Sequence, residues 1–382
     1  MIYLDHNATT PIRPEVAEHL ARAFRSAVDA PGNPSSVHQE GRRARARLDD
    51  ARARAAQVLG CEPKEICFTG SGSEADALAL KGAWAARRDR ARTKVVISAI
   101  EHPAILLAAK QLESEGAQVV RVPPERDGRV RAERFIEALS PDTAIASLMW
   151  ANNETGVLQP VREAARACRD RGVLFHTDAV QAAGKIQVTV REVDADLLSL
   201  SAHKFGGPAG VGLLVVRRGV AVEAVVPGHQ EHGRRGGTHN LPYVEALVLA
   251  LESACAALDE EGRRLADLRD RLEREVMAAL PGVAVNGAGA PRLPNTSNIR
   301  FAGADGEALL IGLDLCGVCV SSGAACASGS ITPSHVLTAM GLTPTEAHES
   351  LRFSLGRTTR PEEVDAVVAA LREQVARARA AA

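Results

Sequence analysis

Short apolar runs rich in β-branched residues punctuate the first 216 residues, at 66–69, 94–98, 118–122, 143–148, 173–177, 197–200 and 211–216. Runs of this length, bounded by polar or glycine-containing turns, predict strands buried on both faces. Between most of them the pattern changes to alanine-rich stretches of helical period, at 74–87, 103–115, 132–138 and 162–171. Strand alternating with helix predicts a largely parallel sheet with helices on both faces. A longer helical stretch over 240–279, with Gly262 its only glycine, reads as a spine between domains. After Pro281 the elements shorten to a strand at 296–301, a helix from Gly306, a loop, a strand at 351–355 and a terminal helix from Pro361. The expected fold class is therefore α/β, with a large mostly parallel sheet domain over 15–257. A smaller α+β domain is expected from 1–14 and 258–382.

Charge changes this picture little. The 382 residues carry 46 Lys and Arg against 47 Asp and Glu, a formal net charge of −1, so nothing in bulk charge favours nucleic acid or membrane as a partner. The basic run from Arg42 to Arg54 lies in a helical pattern and reads as a solvated helix face. No apolar run approaches the roughly 18 residues of a membrane span. Met1 to His6 lack the basic and apolar regions of a signal peptide, and the expected location is the cytoplasm. Seven cysteines scattered from Cys61 to Cys326 do not form a secreted disulfide framework. Cys316 and Cys319 have C-x-x-C spacing, yet they sit in an apolar run with no second pair. They are expected to be buried small side chains rather than a metal or redox site.

Four stretches carry candidate chemistry, each with a plainer reading beside it. Thr69-Gly70-Ser71-Gly72-Ser73-Glu74 follows a strand and opens a helix, where glycines permit close approach and free amides attract a phosphate. The plainer reading is a turn with Ser73 as the helix cap. Asp178, in His176-Thr177-Asp178-Ala179-Val180-Gln181, stands at the end of a buried strand, the edge where parallel sheets bind ligands. It serves either as a helix cap or as the partner of a protonated ring nitrogen. Lys204 ends the apolar strand that runs into Ser201-Ala202-His203-Lys204, and desolvation there lowers an amine's pKa toward nucleophilic use. It is a surface lysine or a Schiff-base lysine, and no neighbouring lysine is expected to replace it. Cys326 lies in a Ser-Gly-Ala run from Ser321 to Ser330 that buries little, as a thiol that collects and delivers a group requires.

Taken in order, a glycine-serine turn, Asp-x-x-Gln, His-Lys and a distal arginine resemble the parts of a fold-type I enzyme dependent on pyridoxal phosphate (PLP). The chain is similar to the cysteine desulfurases of the NifS/IscS branch, within the class V aminotransferase family. That similarity runs from Tyr3-Leu4-Asp5-His6-Asn7-Ala8-Thr9-Thr10 and Gly32 to His38 through Arg352 to Arg357, and its most specific part is Ser321 to Cys326 followed by Pro333-Ser334-His335-Val336-Leu337. The resemblance implies a transferase that removes sulfur from L-cysteine, giving L-alanine and a persulfide on Cys326. The sulfur would pass to an acceptor such as an iron–sulfur scaffold protein, and Cys326 could hold a cluster in transit, with no resident metal. The alternatives are a selenocysteine lyase, a PLP-dependent cysteine β-lyase, or a non-catalytic platform on the same fold.

By the same resemblance Lys204 bonds the cofactor and moves protons at the substrate carbons, while His102 stacks on the cofactor ring. Asp178 pairs with the ring nitrogen, Gln181 reaches the phenolic oxygen, and Gly72, Ser73, Ser201 and His203 hold the phosphate. Thr238 reaches that phosphate from a second subunit, which implies a homodimer. Asn153 and Arg352 take the substrate carboxylate. Three departures stand out: Gly72-Ser73-Glu74 where Ala-Thr-Glu is usual, His232 where arginine is usual, and an end soon after the helix from Pro361, without a scaffold-docking tail.

Overall fold

The computed structural model describes residues 1–87, 92–322 and 333–381. Twelve strands fall among them: β1 Ile2–Tyr3, β2 Ile66–Thr69, β3 Lys94–Ser98, β4 Gln118–Val122, β5 Thr143–Ser147, β6 Leu174–Asp178, β7 Leu197–Ser201, β8 Gly212–Val216, β9 Val283–Asn286, β10 Thr296–Phe301, β11 Val318–Cys319 and β12 Ser350–Ser354. β2 to β8 form one seven-stranded sheet in the order β2-β8-β7-β6-β5-β3-β4. Only β8 runs against the rest, antiparallel to both β2 and β7. The expectation of a largely parallel sheet holds.

Helices cover both faces, as apolar strands buried on two sides require. They are α1 Pro14–Asp29, α2 Gln39–Leu59, α3 Gly72–Ala77 continued by a π turn at Leu78–Gly82 into α4 Ala83–Arg87, α5 Pro103–Ser114, α6 Ala132–Glu137, α7 Val161–Asp170, α8 Val190–Val193 and α9 Leu241–Ala256. α10 Leu258–Ala279, α11 Gly306–Leu315, α12 His335–Ala339, α13 Pro344–His348 and α14 Pro361–Ala381 follow. One core gathers Phe68, Phe175, Leu198 and Leu213 with α2 and α9; the opposite face packs Trp84, Ile97, Ile105 and Leu214. A separate core joins Leu4, Leu268, Phe301, Phe353 and Leu371, around the three-stranded antiparallel sheet β12-β10-β9.

The 240–279 spine is two helices rather than one. The chain bends by 70° between α9 and α10. The break falls at Ala257 (φ −94°, ψ 3°), and Gly262 sits inside α10. Tertiary packing dictates the bend: α9 buries Val244, Leu247 and Leu251 in the first core, whereas α10 buries Leu265, Leu268, Leu272 and Val276 in the other. Among the described residues no single helix is long and apolar enough to cross a membrane.

Two further expectations need correction. Cys316 is exposed and Cys319 half-buried. Cys316 caps the C-terminus of α11 at the surface, and Cys319 falls between Val318 and Val320, which take the inward positions of the alternating strand. The basic run of α2 is solvated at Arg43 and Arg45 but not at Arg52, which is buried against Glu231 with Nη1–Oε2 at 2.8 Å and Nη2–Oε1 at 2.9 Å.

Candidate active site

The strands place their C-terminal ends along one sheet edge, where the chain must leave the sheet and expose polar groups. β2 delivers Ser71 to Ser73 there, β3 delivers His102, β6 delivers Asp178, and β7 delivers Ser201 to Lys204. A cavity of about 980 Å³ opens over this edge and is closed from the other side by Arg352 and Ser321. Its wall includes Gly72, Ser73, His102, Asn153, Asp178, Gln181, Ser201, His203, Lys204 and Arg352. Thr238 is exposed and does not line the cavity of its own chain. Cys326 lies outside the described residues; the described segment before it ends at Ser322, and Ser321 pairs with the Arg352 backbone through N–H···O contacts of 3.2 and 2.7 Å.

Lys204 donates its Nζ to the carbonyls of Asn7 and Ala8, both at 2.7 Å. Burial, with Arg352 nearby, pushes its pKa down to about 8 against the pull of Asp178 and Asp5. Asp178 is buried, and Oδ1 accepts from the Val180 amide at 2.8 Å. Burial raises its pKa, opposed by His102, that amide and Lys204. A further cation against this carboxylate would favour its charged form. His102 caps α5, and its Nδ1 accepts from the Ala104 amide at 3.2 Å, which leaves Nε2 as the other ring nitrogen. Desolvation lowers its pKa and so favours the neutral ring.

At the phosphate-type turn, Ser71 rather than Ser73 caps the helix, accepting from the Glu74 amide at 3.0 Å. A Cβ at Gly72 would lie 2.9 Å from Ser201 Cβ and 3.0 Å from Val180, so only glycine brings this turn so close to β7. His203 bonds Thr9 at 3.1 Å, and burial with Lys204 and Lys185 lowers its pKa to about 4. Arg352 donates Nη1 to the Asn153 carbonyl at 3.0 Å and Nη2 to Asp5 at 2.6 Å, while its buried Nε has no hydrogen-bond partner among the described residues.

Several residues that shape the site escaped the sequence reading. Asn7 is buried and bonds Asn153, Thr296 and Asn295 as well as both lysines around it. Lys185 is the neighbouring lysine that was not expected. Behind Asp178, His176 is held by Ser147 at 2.8 Å and Ser199 at 2.9 Å, and lies 3.7 Å from Asp76. The signal for Asn7 was available in part, since it lies in the Tyr3–Thr10 stretch singled out above, whereas Lys185 lies in no such stretch.

The donor set fits PLP. A lysine with a lowered pKa, a buried carboxylate, a glycine-permitted close turn at a helix N-terminus and a buried, partly unpartnered guanidinium face one cavity large enough for a cofactor and an amino acid.

Comparison with known proteins bears on the same chemistry. The family model for Aminotransferase class-V matches residues 2–367. The chain is 45% identical over 373 residues to a cysteine desulfurase of Cereibacter sphaeroides, covering 97% of this chain and 94% of that one. It is 42% identical over 369 residues to the cysteine desulfurase NifS of Azotobacter vinelandii, covering 96% and 90%. A solved NifS-like protein matches the fold with a TM-score of 0.90 at 34% identity, over 98% of this chain and 99% of that one. The chain belongs to the class-V aminotransferase family, among its cysteine desulfurases.

Proposed function

We propose that the enzyme moves sulfur from free L-cysteine onto its own Cys326 and releases L-alanine, with PLP held in the cavity over the sheet edge. The observation that carries this reading is the convergence of Lys204, Asp178 and Arg352 on one cavity, with Ser321, on the approach to Cys326, paired to Arg352. When bound, PLP supplies an aldehyde for an amino group and a sink for electrons from the substrate carbons. Asp178 would hold its ring nitrogen, Gln181 its phenolic oxygen, His102 its ring face, and Gly72, Ser73, Ser201 and His203 its phosphate.

Arg352 and Asn153 bind and orient the substrate carboxylate, through charge-assisted hydrogen bonds from a guanidinium already held in place. Lys204 carries protons to and from the substrate carbons, a task suited to an amine whose pKa lies at about 8. The Cys326 thiolate attacks the sulfur of bound cysteine. The S–S bond forms as the Cβ–S bond breaks, the electron pair stays on carbon, and a proton there completes alanine.

The reading extends to a homodimer in which Thr238 serves the neighbouring subunit's phosphate site. Its support is the exposure of Thr238 outside its own cavity, together with the exposed apolar side chains Phe24, Val28, Val225 and Val226. A sulfur acceptor such as an iron–sulfur scaffold would discharge Cys326. All six described cysteines are unpaired, which suits the reducing cytoplasm. The division into 15–257 against 1–14 with 258–382 follows the separate core around Leu4, Leu268 and Phe353.

Incubating the purified, PLP-loaded protein with L-cysteine tests this reading. Alanine released with matching protein-bound sulfur supports it; pyruvate and ammonia instead would mark a β-lyase.

A further inference from the structure

Lys185 follows β6 and is absent from the cavity lining. Its Nζ donates to Gln181 Oε1 at 2.7 Å and to Asn7 Oδ1 at 3.1 Å. The Gln181 amide is thereby gripped at both ends, because its Nε2 donates to the Asn7 carbonyl at 3.0 Å. That carbonyl only accepts, and it also takes the Lys204 Nζ at 2.7 Å. The Asn7 side chain is gripped as well: Oδ1 takes Lys185 and Asn295, and Nδ2 reaches Thr296 and the Asn153 carbonyl. One lysine outside the cavity therefore determines how two residues of its wall are turned.

We propose that Lys185 is a positioning residue of the desulfurase reaction: it fixes the Gln181 carboxamide with its NH₂ group available to an oxygen in the cavity. This rests on the reading that Gln181 faces the PLP phenolic oxygen. Gln181 Nε2 has two hydrogens and uses one on Asn7, so the second is available for such an oxygen. A carboxamide turned the other way would present a second acceptor to that oxygen and repel it. Burial, with Lys204 and Arg352 nearby, lowers the Lys185 pKa well below the ordinary lysine range. Charged or neutral, the amine donates to Oε1.

The test uses PLP-loaded Lys185→Met, Lys185→Arg, Gln181→Ala and the double variant Gln181→Ala with Lys185→Met. It reads the visible absorption band, kcat and KM for L-cysteine, and the melting temperature. Lys185→Met is expected to move the band and lower kcat about ten- to a hundredfold, the usual effect of losing a partner one shell out, with KM little changed. Lys185→Arg, which keeps donors, restores part of both. In the Gln181→Ala background Lys185→Met adds nothing further, since its effect on the reaction runs through the Gln181 carboxamide. An unchanged band and kcat in Lys185→Met overturns the proposal, as do additive effects of the two substitutions. So does an activity loss explained wholly by a lower melting temperature. If Gln181→Ala changes the band while Lys185→Met does not, the positioning role alone fails. If Gln181→Ala is itself silent, the placement of Gln181 at the cofactor fails and the positioning role with it.

Discussion

Arg352 and Asp5 face each other across the mouth of the cavity, with Nη2 donating to Oδ1 at 2.6 Å. The second guanidinium nitrogen is on the Asn153 carbonyl, and the buried Nε has no partner among the described residues. A carboxylate just after β1 thus meets the β12 guanidinium that is proposed, with Asn153, to receive the carboxylate of the substrate. Asp5 orients the planar guanidinium and compensates its charge inside the protein.

Arg352→Lys retains the charge but loses the fork that makes two parallel hydrogen bonds. KM for L-cysteine is expected to rise about ten- to a hundredfold, the equivalent of one or two charge-assisted bonds. The PLP absorption band should stay in place, because Asp178 and Lys204 are untouched. Steady-state kinetics on the loaded variant checks this, and an unchanged KM would remove Arg352 from substrate binding.

Lys204 must be neutral to bond an aldehyde, and its pKa is about 8. Below that value the amine is protonated and inert; above it the amine is free to react. The rate at which apoprotein takes up PLP is therefore expected to rise with pH, pass its midpoint near 8 and level off. Stopped-flow absorbance across pH measures it. A rate still climbing toward the ordinary lysine range would show that burial does not tune this amine.

The sheet was legible because its strands are buried on both faces and so spell continuous apolar runs, as at 94–98 and 143–148. What the sequence did not disclose depends on contacts between distant segments. Ala257 carries no glycine or proline, and the 70° bend there exists because α9 and α10 serve different cores. Arg52 looks like its solvated neighbours in α2 until the chain returns Glu231 to it, 179 residues later. That Lys204, Asp178 and Arg352 share one cavity was to be expected from strand ends and family resemblance. Asn7 and Lys185 were not legible, because their importance lies in whom they touch. Cys319 misled because its apolar neighbours took the inward positions.

Glu231 accepts from Arg52, from His239 at 2.8 Å and from the Phe68 amide at 3.0 Å, and anchors the loop that carries Thr238. Glu231→Gln leaves Arg52 buried without its counter-charge, at an expected loss of about 3 kcal/mol or more. Although burial opposes it, His239 and Arg52 hold the Glu231 carboxyl down to about 2. Its contribution is thus present above the ordinary carboxylate range and is lost as pH falls through about 2. Urea unfolding of parent and variant should differ at neutral pH and converge only in strong acid. Equal midpoints at neutral pH would contradict this.

The central claim is that sulfur leaves cysteine for Cys326 and no other thiol. Cys326→Ser keeps nearly the same size but substitutes a hydroxyl that stays protonated near neutral pH. Lys204, Asp178 and Arg352 remain, so the variant should bind PLP and change its spectrum when cysteine is added. Alanine release should fall by roughly two or more orders of magnitude, as when other enzymes lose a nucleophile. Mass spectrometry of the parent enzyme after a brief pulse of L-cysteine tests the claim most directly. The expected result is one added sulfur atom on the peptide that carries Cys326, absent from the serine variant. Added sulfur on the exposed Cys316 or on Cys319 instead, or alanine release by Cys326→Ser at the parent rate, would contradict it.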